Sequence, residues 1–181
     1  MTPPADDLFP TVRILPPGMS GAHQLDPQSL GDHVDRLYRA AWSLCGSRHD
    51  AEDLVQETFA QVLRRPRLVR SDDDIGYLLR ALRNTYIAGL RRTGRRPAEV
   101  PLPDDLDLVE DPAAAQPERR LETGELYATI ATLPDDLRDA VIAIDVVGLS
   151  YREAARSLRT REATVATRLH RARKRLAQLL S

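Results

Sequence analysis

The stretch SYREAARSLRTREATVATRLHRARKRLAQLL, residues 150–180, contains two helical patterns separated by a short break. Ser150 precedes the first pattern and Glu153 lies three positions later, which is the spacing of a capping box at a helix start. Residues 159–161 interrupt this pattern, and a longer one begins near Glu162. The apolar residues of the second pattern recur every three or four positions: Val165, Leu169, Ala172, Leu176 and Leu179. We expect this stripe to face a core.

The remaining positions of the second pattern are strongly basic. From Ser150 to Arg175 the chain carries nine Arg or Lys residues and two Glu residues, a net charge of +7. A short capped helix, a turn and a longer basic helix are typical of a helix-turn-helix, whose second helix enters the major groove of DNA. The alternative is a solvated basic helix that merely caps a bundle. The capped helix and turn directly before the basic helix favour DNA binding.

The composition of the 181-residue chain predicts an all-α protein. Apolar residues make up 42% of the chain but aromatic residues only 4%, and we find no alternating strand pattern of useful length. The net charge of the whole chain is only −1, because acidic residues elsewhere offset the basic cluster near the C-terminus. The single cysteine, Cys45, excludes an intramolecular disulfide and is expected in a helix core. We find no signal peptide and no transmembrane stretch, so we expect a cytoplasmic protein without a membrane partner.

Changes in composition divide the chain into four parts. Residues 1–26 are rich in Pro and Gly and are predicted to form a disordered extension. Residues 27–96 and 121–181 show helical periodicity and are predicted to form two small helical domains, the second being the helix-turn-helix. Residues 97–120 contain five Pro, and the overlapping segment 99–125 has a net charge of −7. This composition predicts a flexible linker that separates the domains. A binding segment, a nucleic-acid mimic and a soluble spacer are all open interpretations of it.

The first domain is predicted to contain three helices, over residues 30–45, 50–63 and 75–92. The second helix carries several acidic residues in its first turn, where they favour the positive end of the helix dipole. A well-capped, solvated helix would explain this acidic face equally well.

The third predicted helix combines an apolar stripe with a basic surface. Arg80, Arg83 and Asn84 lie off the stripe and are expected to be available to solvent. Arg and Asn side chains beside Tyr77 and Tyr86 suit phosphates and unstacked bases. This pattern is a weak indication of nucleic-acid binding on its own.

Four segments together resemble bacterial sigma factors of the extracytoplasmic-function (ECF) group of the sigma-70 family. They are DAEDLVQETF at residues 50–59, LP at 133–134, LSYREAA at 149–155 and TVATRLHRAR at 164–173. Their order and spacing match the family across about residues 30–180. The resemblance implies a dissociable promoter-specificity subunit of RNA polymerase, with one domain for the minus-ten element and one for the minus-thirty-five element.

The resemblance also implies roles for three sets of residues. Those expected to contact the beta-prime clamp helices of core polymerase are Asp50, Glu52, Asp53, Gln56 and Glu57. A second set is expected to capture the melted minus-ten element: Arg67, Arg70, Arg80, Arg83 and Asn84. A flipped base is expected beside Asn84. Those expected at the minus-thirty-five element are Arg161, Thr164, Thr167, Arg168, His170, Arg171 and Lys174. The implied partners are core RNA polymerase, including its beta flap, promoter DNA and an anti-sigma factor.

The sequence departs from the family pattern at several positions in and near the helix-turn-helix. Arg159 stands in the turn where the family usually has Gly, and a left-handed backbone there would be strained. Ala166 replaces a commonly basic residue, so the promoter sequence stays open. Ala154 replaces the usual core Ile, which predicts looser packing there.

Two other classes of function compete with this interpretation. A helix-turn-helix regulator that acts without polymerase would explain the second domain, but not the acidic and basic helices of the first. An enzyme is not expected, because the four His residues are scattered, without metal-ligand spacing, and no phosphate-binding Gly loop or paired Cys motif occurs. We therefore expect no catalytic residues, no metal and no cofactor.

Overall fold

In a computed structural model of the chain, which describes residues 22–25, 30–64, 68–70, 73–93 and 117–180, helices carry most of the regular structure. These helices are α1 (Val34–Cys45), α2 (Arg48–Arg64), α3 (Asp74–Thr93), α4 (Pro117–Ala131), α5 (Asp135–Val141), α6 (Tyr151–Ser157) and α7 (Glu162–Leu179). A 3-10 turn over Gly31–His33 precedes α1, and a π-helical turn over Ile142–Val146 continues α5. The all-α fold class is confirmed. Among the described residues, no helix is both long and apolar enough to span a bilayer.

Helices α1–α3 and the segments packed on them form the N-terminal unit, within residues 22–93. Its centre contains Leu37, Leu78 and Leu82, which are all 0% exposed. Helix α1 ends at Gly46, whose φ of 75° is left-handed and whose N–H donates to the carbonyl of Trp42 at 2.7 Å. A glycine adopts this conformation without a steric penalty from Cβ, so it terminates the helix there.

A short antiparallel ribbon departs from the sequence prediction. Strand β1 (Ala22–Gln24) pairs with β2 (Leu68–Arg70), and Leu25 directly after β1 is 6% exposed. The prediction of disorder is therefore wrong for residues 22–25, because strand pairing satisfies their backbone and Leu25 joins the core. Three-residue strands are too short to show a visible alternation. The rest of the predicted extension, residues 1–21 and 26, lies outside the described residues.

Helices α4–α7 form the C-terminal unit, residues 117–180, and the helix-turn-helix within it follows the sequence closely. The predicted capping box is present: the Oγ of Ser150 accepts from the Glu153 N–H at 3.3 Å, and Glu153 Oε2 accepts from the Ser150 N–H at 2.7 Å. The turn places Arg159 at a φ of 53°, the left-handed conformation expected to be strained.

The apolar stripe of α7 is shorter than its sequence pattern suggests. Val165, Leu169, Ala172 and Leu176 are buried as predicted, whereas Leu179 is 47% exposed. The prediction is wrong for Leu179 because it lies in the last turn of α7, past the part of the helix that packs on the rest of the unit.

The two units pack against each other. Trp42 of α1 stacks obliquely on Tyr127 of α4, with ring centroids 5.0 Å apart, and α3 lies against α6. Buried side chains of both units join in one continuous core. The prediction that the linker separates the domains is therefore wrong for this arrangement, because aromatic and aliphatic groups at the contact gain by leaving water. Of the predicted linker, residues 97–116 lie outside the described residues, and 117–120 begin α4.

Candidate nucleic-acid and protein interfaces

Helix α7 presents a polar face on the side opposite its buried stripe. The exposed members of the predicted DNA-binding set are Arg161, Thr167, His170, Arg171 and Lys174, and the half-buried members are Thr164 and Arg168. All seven residues therefore lie on the solvent side of α7 or, in the case of Arg161, at its N-cap. A helix with this face can enter a major groove.

Two side chains of this set already have partners inside the C-terminal unit. The Nε of Arg168 lies 3.5 Å from Asp136 of α5, so its guanidinium is held at the edge of the polar face. The Thr167 hydroxyl donates to the carbonyl of Ala163 at 2.9 Å. Arg171 is exposed and its side chain projects from the middle of the face, which makes it the best-placed arginine for reading a base edge.

A basic cleft of about 630 Å³ opens beside the turn of the helix-turn-helix. Its charged lining consists of four arginines and one acid, namely Arg152, Arg156, Arg159, Arg161 and Glu162. The sequence reasoning selected Arg161 among these arginines and missed the other three. Arg152 and Arg156 are four positions apart on α6 and so share one face, a spacing that was readable from the sequence. Four guanidinium groups around one cleft suit the phosphates of a DNA backbone.

The acidic residues of α2 lie on a face that points away from its buried side. The helix packs on α1 and α3 through Ala51, Leu54, Val55, Thr58 and Val62. On the outer side, Asp50, Asp53 and Gln56 are exposed, while Glu52 and Glu57 are half-buried. The predicted polymerase-contacting set therefore forms one accessible, negatively charged surface.

Local contacts along this acidic face are weak and exposed. The Asp53 carboxylate lies 3.8 Å from His49 Nε2, with side chains 67% and 75% exposed. Glu57 accepts a hydrogen bond from Gln61 Nε2 at 2.7 Å. Exposed pairs of this kind contribute little stability, so a binding partner can displace them at small cost.

The basic residues of α3 differ from their predicted environment. Arg80 donates from Nε to the carbonyl of Ser157 and from Nη2 to that of Arg156, both at 3.2 Å. Arg83 donates from Nε to Asp139 Oδ2 at 2.6 Å. Both arginines are therefore held by partners and are half-buried, rather than fully available to solvent as expected. The carbonyl of Arg156 also accepts from the Arg159 N–H at 3.3 Å, so Arg80 adds a second donor at the end of α6. Arg83 supplies the counter-charge that a buried carboxylate needs.

The other members of the predicted minus-ten set are Asn84, Arg67 and Arg70. Asn84 is exposed on α3. Arg67 and the side chain of Arg70 lie outside the described residues, although the backbone of Arg70 belongs to β2. The role of this set in DNA binding stays a prediction.

Asp139 is the residue of this region that sequence reasoning missed. It is 8% exposed on α5, and burial raises its pKa above the ordinary value. The Arg83 and Arg138 guanidiniums pull the pKa the other way but do not cancel the effect of burial. Nothing in the local sequence separates Asp139 from its acidic neighbours Asp135 and Asp136, which are exposed.

The single cysteine has no feature of a reactive thiol. Burial, with a smaller contribution from Asp50, raises the pKa of Cys45 to about 12. Its thiolate is therefore scarce at neutral pH. Within the described part of the chain, no group of three or more His, Cys, Asp or Glu side chains is arranged to hold a metal ion.

Two family models match the chain, one for each unit. The model described as Sigma-70 region 2 matches residues 30–96, which contain α1–α3. The model described as Sigma-70, region 4 matches residues 123–176, which contain most of α4–α7 and the helix-turn-helix.

Curated relatives share the sequence of both units. The ECF RNA polymerase sigma factor SigE of Mycolicibacterium smegmatis is 40% identical over 152 residues, which cover 82% of this chain and 59% of that protein. The ECF RNA polymerase sigma factor SigM of Bacillus subtilis is 31% identical, with coverage of 81% and 90%. SigM of Mycobacterium tuberculosis is also 31% identical, with coverage of 92% and 83%. The chain thus spans about three fifths of one relative and most of the other two.

Solved structures with the same fold come from complexes. The sigma factor RpoE of Bartonella quintana, crystallised with the anti-sigma factor NepR, is 25% identical and superposes with a TM-score of 0.63 over 84% of this chain and 94% of its own. CnrH, solved with the cytosolic domain of CnrY, is 25% identical with a TM-score of 0.58, over 84% and 85% of the two chains.

Proposed function

Because this chain belongs to the ECF group of the sigma-70 family, we propose that it binds core RNA polymerase and directs it to a specific set of promoters. It is a factor for transcription initiation. We propose that polymerase supplies the catalysis and that the chain acts in the cytoplasm, where core polymerase and promoter DNA meet. The observation that carries the proposal is the presence, on one chain, of an exposed acidic helix and a separate exposed basic recognition helix.

The acidic face of α2 is the proposed contact with the clamp helices of polymerase. Its carboxylates Asp50, Asp53 and Glu57 lie along one side of a helix whose other side is held by the core. A rigid, negatively charged helix can steer and dock onto a basic protein surface, and complementary charges favour both association rate and correct register.

The helix-turn-helix is the proposed reader of the minus-thirty-five element. The polar face of α7 would enter the major groove, and the cleft lined by Arg152, Arg156 and Arg159 would lie against the DNA backbone. We propose the minus-ten role for α3, where Arg80, Arg83 and Asn84 would contact melted DNA once the C-terminal unit has moved away.

A regulator without polymerase is the weaker candidate. It would account for the region 4 match over residues 123–176, but it does not explain why residues 30–96 match region 2. Co-purification with core polymerase separates the two functions.

An anti-sigma factor is a further proposed partner. The structural relatives RpoE and CnrH were solved with the anti-sigma factor NepR and the cytosolic domain of CnrY, respectively. A partner that bridges both units would stabilise the packed arrangement seen here.

The recognition helix gives a test of the DNA-binding role. Arg171→Ala is expected to cost about 1–3 kcal/mol on the true promoter and to relax specificity at one upstream position, because Arg can bind guanine with two hydrogen bonds. Lys174→Ala, one turn further along, is the matched control and is expected to weaken all sequences alike, lowering the salt slope by about one.

The measurement is a binding titration against a randomised upstream element at several salt concentrations. If Arg171→Ala weakens every sequence equally, Arg171 contacts phosphate and the proposed orientation of α7 is wrong. If neither substitution affects binding, α7 is not the DNA-reading helix.

A further inference from the structure

The turn between α6 and α7 holds an arginine in a backbone conformation that favours glycine. Arg159 has a φ of 53°, and it is the one residue other than glycine with a positive φ in the described part of the chain. We propose that Arg159 binds a phosphate of the DNA backbone and that the chain keeps this contact at a cost in the stability of its C-terminal unit. The identity of the ligand rests on the proposed function, whereas the cost rests on the backbone geometry alone.

The hydrogen bonds of the turn require the left-handed conformation. The Thr160 N–H donates to the carbonyl of Ala155 at 2.9 Å, and the Arg159 N–H donates to the carbonyl of Arg156 at 3.3 Å. These two bonds form a Schellman motif, which has a left-handed residue directly after the C-cap of the helix. The C-cap of α6 is Leu158, so the left-handed position falls on Arg159.

The other left-handed positions in the described part of the chain are occupied by glycine. Gly148 has a φ of 78°, and the next residue, Leu149, donates its N–H to the carbonyl of Ala143 at 2.9 Å, which is the same type of closure. Gly46, at the end of α1, has a φ of 75°. A side chain at a left-handed position brings its Cβ too close to the backbone, which costs stability. The fold alone would therefore favour glycine at position 159.

The surroundings of Arg159 add a second unfavourable effect. The cleft beside the turn is lined by four arginines and one glutamate, so its lining carries a net charge of +3. Like charges around one cleft repel each other, and a bound anion would relieve this repulsion. Arg159 is itself exposed, so its guanidinium can reach a ligand without any rearrangement of the core. Both the backbone and the charge of Arg159 are thus better explained by an anionic ligand than by folding.

The position of the cleft identifies the anion as a phosphate of duplex DNA. Arg161 at the N-cap of α7 and Glu162 in its first turn also line the cleft, so the cleft borders the positive end of the α7 dipole. Arginine side chains and helix N-termini are common donors to the phosphates of DNA. The polar face of α7, our proposed reader of base edges, starts at the same end of the helix. A duplex read by this face would present its backbone to the cleft.

Three substitutions of Arg159 separate its charge from its backbone strain. Arg159→Lys keeps the positive charge and the Cβ, Arg159→Ala keeps only the Cβ, and Arg159→Gly keeps neither. Because the phosphate contact needs the charge, the Lys variant should bind duplex DNA within about twofold of the parent. The Ala and Gly variants should bind about five- to tenfold more weakly at 0.1 M salt, with a salt slope lower by about one.

The stability of the same variants should follow the backbone and not the charge. Only Arg159→Gly removes the Cβ from the left-handed position, so only this variant should melt at a higher temperature than the parent, by roughly 2–8 °C. The variant with the highest melting temperature is thus expected to be one of the two weakest DNA binders. A residue kept for folding alone would not show this opposition.

The experiment uses the full-length chain throughout. Affinity is titrated against a pool of DNA duplexes with a randomised upstream element at several salt concentrations, and thermal unfolding is followed by circular dichroism. Arg64→Ala removes one exposed positive charge from α2 and is the control for net charge, so it should bind as the parent does. Gly148→Ala is the control for strain: a Cβ there would lie 3.8 Å from Arg36 Nη2, an ordinary contact, so it should lower the melting temperature through the backbone alone.

Each outcome bears on one part of the proposal. Parental affinity in the Ala and Gly variants overturns the phosphate contact, and so does a loss confined to particular sequences, which would mean that Arg159 reads a base. A Gly variant that melts no higher than the Ala variant overturns the cost in stability. Failure of the proposed function has a different signature: the parent chain would bind the duplex pool but would not co-elute with core polymerase.

Discussion

Asp53→Arg is expected to prevent the chain from forming a complex with core RNA polymerase while leaving its fold and its DNA binding intact. Asp53 is 67% exposed in its side chain on the outer face of α2, so reversing its charge disturbs no packing. At the basic polymerase surface proposed as the partner of α2, the same change would place like charges together. The loss of a close charge pair at an interface costs about 2–5 kcal/mol. A pull-down with core polymerase measures the loss of the complex.

Glu125→Arg is the matched control for this substitution. Glu125 is also an exposed acid, but it lies on α4, outside the proposed polymerase surface. Both variants change the net charge by the same amount, so a general electrostatic effect would reduce recovery equally. Recovery of the Asp53→Arg chain at the parental level would refute the assignment of α2.

Leu169→Ala is expected to destabilise the C-terminal unit by about 2–5 kcal/mol, the usual cost of truncating a buried leucine. Leu169 is 1% exposed at the centre of the α7 stripe, against α5 and α6. The cavity left behind would loosen the recognition helix and weaken DNA binding as well. Thermal or urea unfolding, followed by circular dichroism, gives the change in the free energy of unfolding.

Leu179→Ala provides the comparison on the same helix. Leu179 follows the same sequence spacing but is 47% exposed, so its truncation should change the free energy of unfolding by less than about 0.5 kcal/mol. Equal destabilisation by the two substitutions would show that α7 is packed along its whole length, contrary to the structure.

The local features of the fold were predictable because they depend on short-range rules. A Ser and a Glu three residues apart form the capping box at Ser150, and Gly46 ends α1 with a left-handed backbone. Apolar spacing placed Val165 and Leu169 in the core. These outcomes follow from hydrogen bonding and periodicity within a few turns of one helix.

The packing of the two units was not predictable by the same rules. Trp42 on α1 stacks on Tyr127 of α4, and nothing in the sequence near either residue identifies the other as its partner. The sequence around Arg83 does not indicate whether its side chain faces water or pairs with the buried Asp139. Contacts between residues more than fifty positions apart depend on the tertiary arrangement, which periodicity does not encode.

Transcription by purified core polymerase, with and without this protein, tests the central claim most directly. Genomic DNA from the source organism serves as template, and sequencing of transcript 5′ ends locates the start sites. We predict a new set of starts that depends on the protein and shares one two-part upstream motif, with none of these starts in the presence of the Asp53→Arg chain. An unchanged set of start sites, from a protein that binds DNA but does not co-elute with core polymerase, would contradict the assignment as a sigma factor.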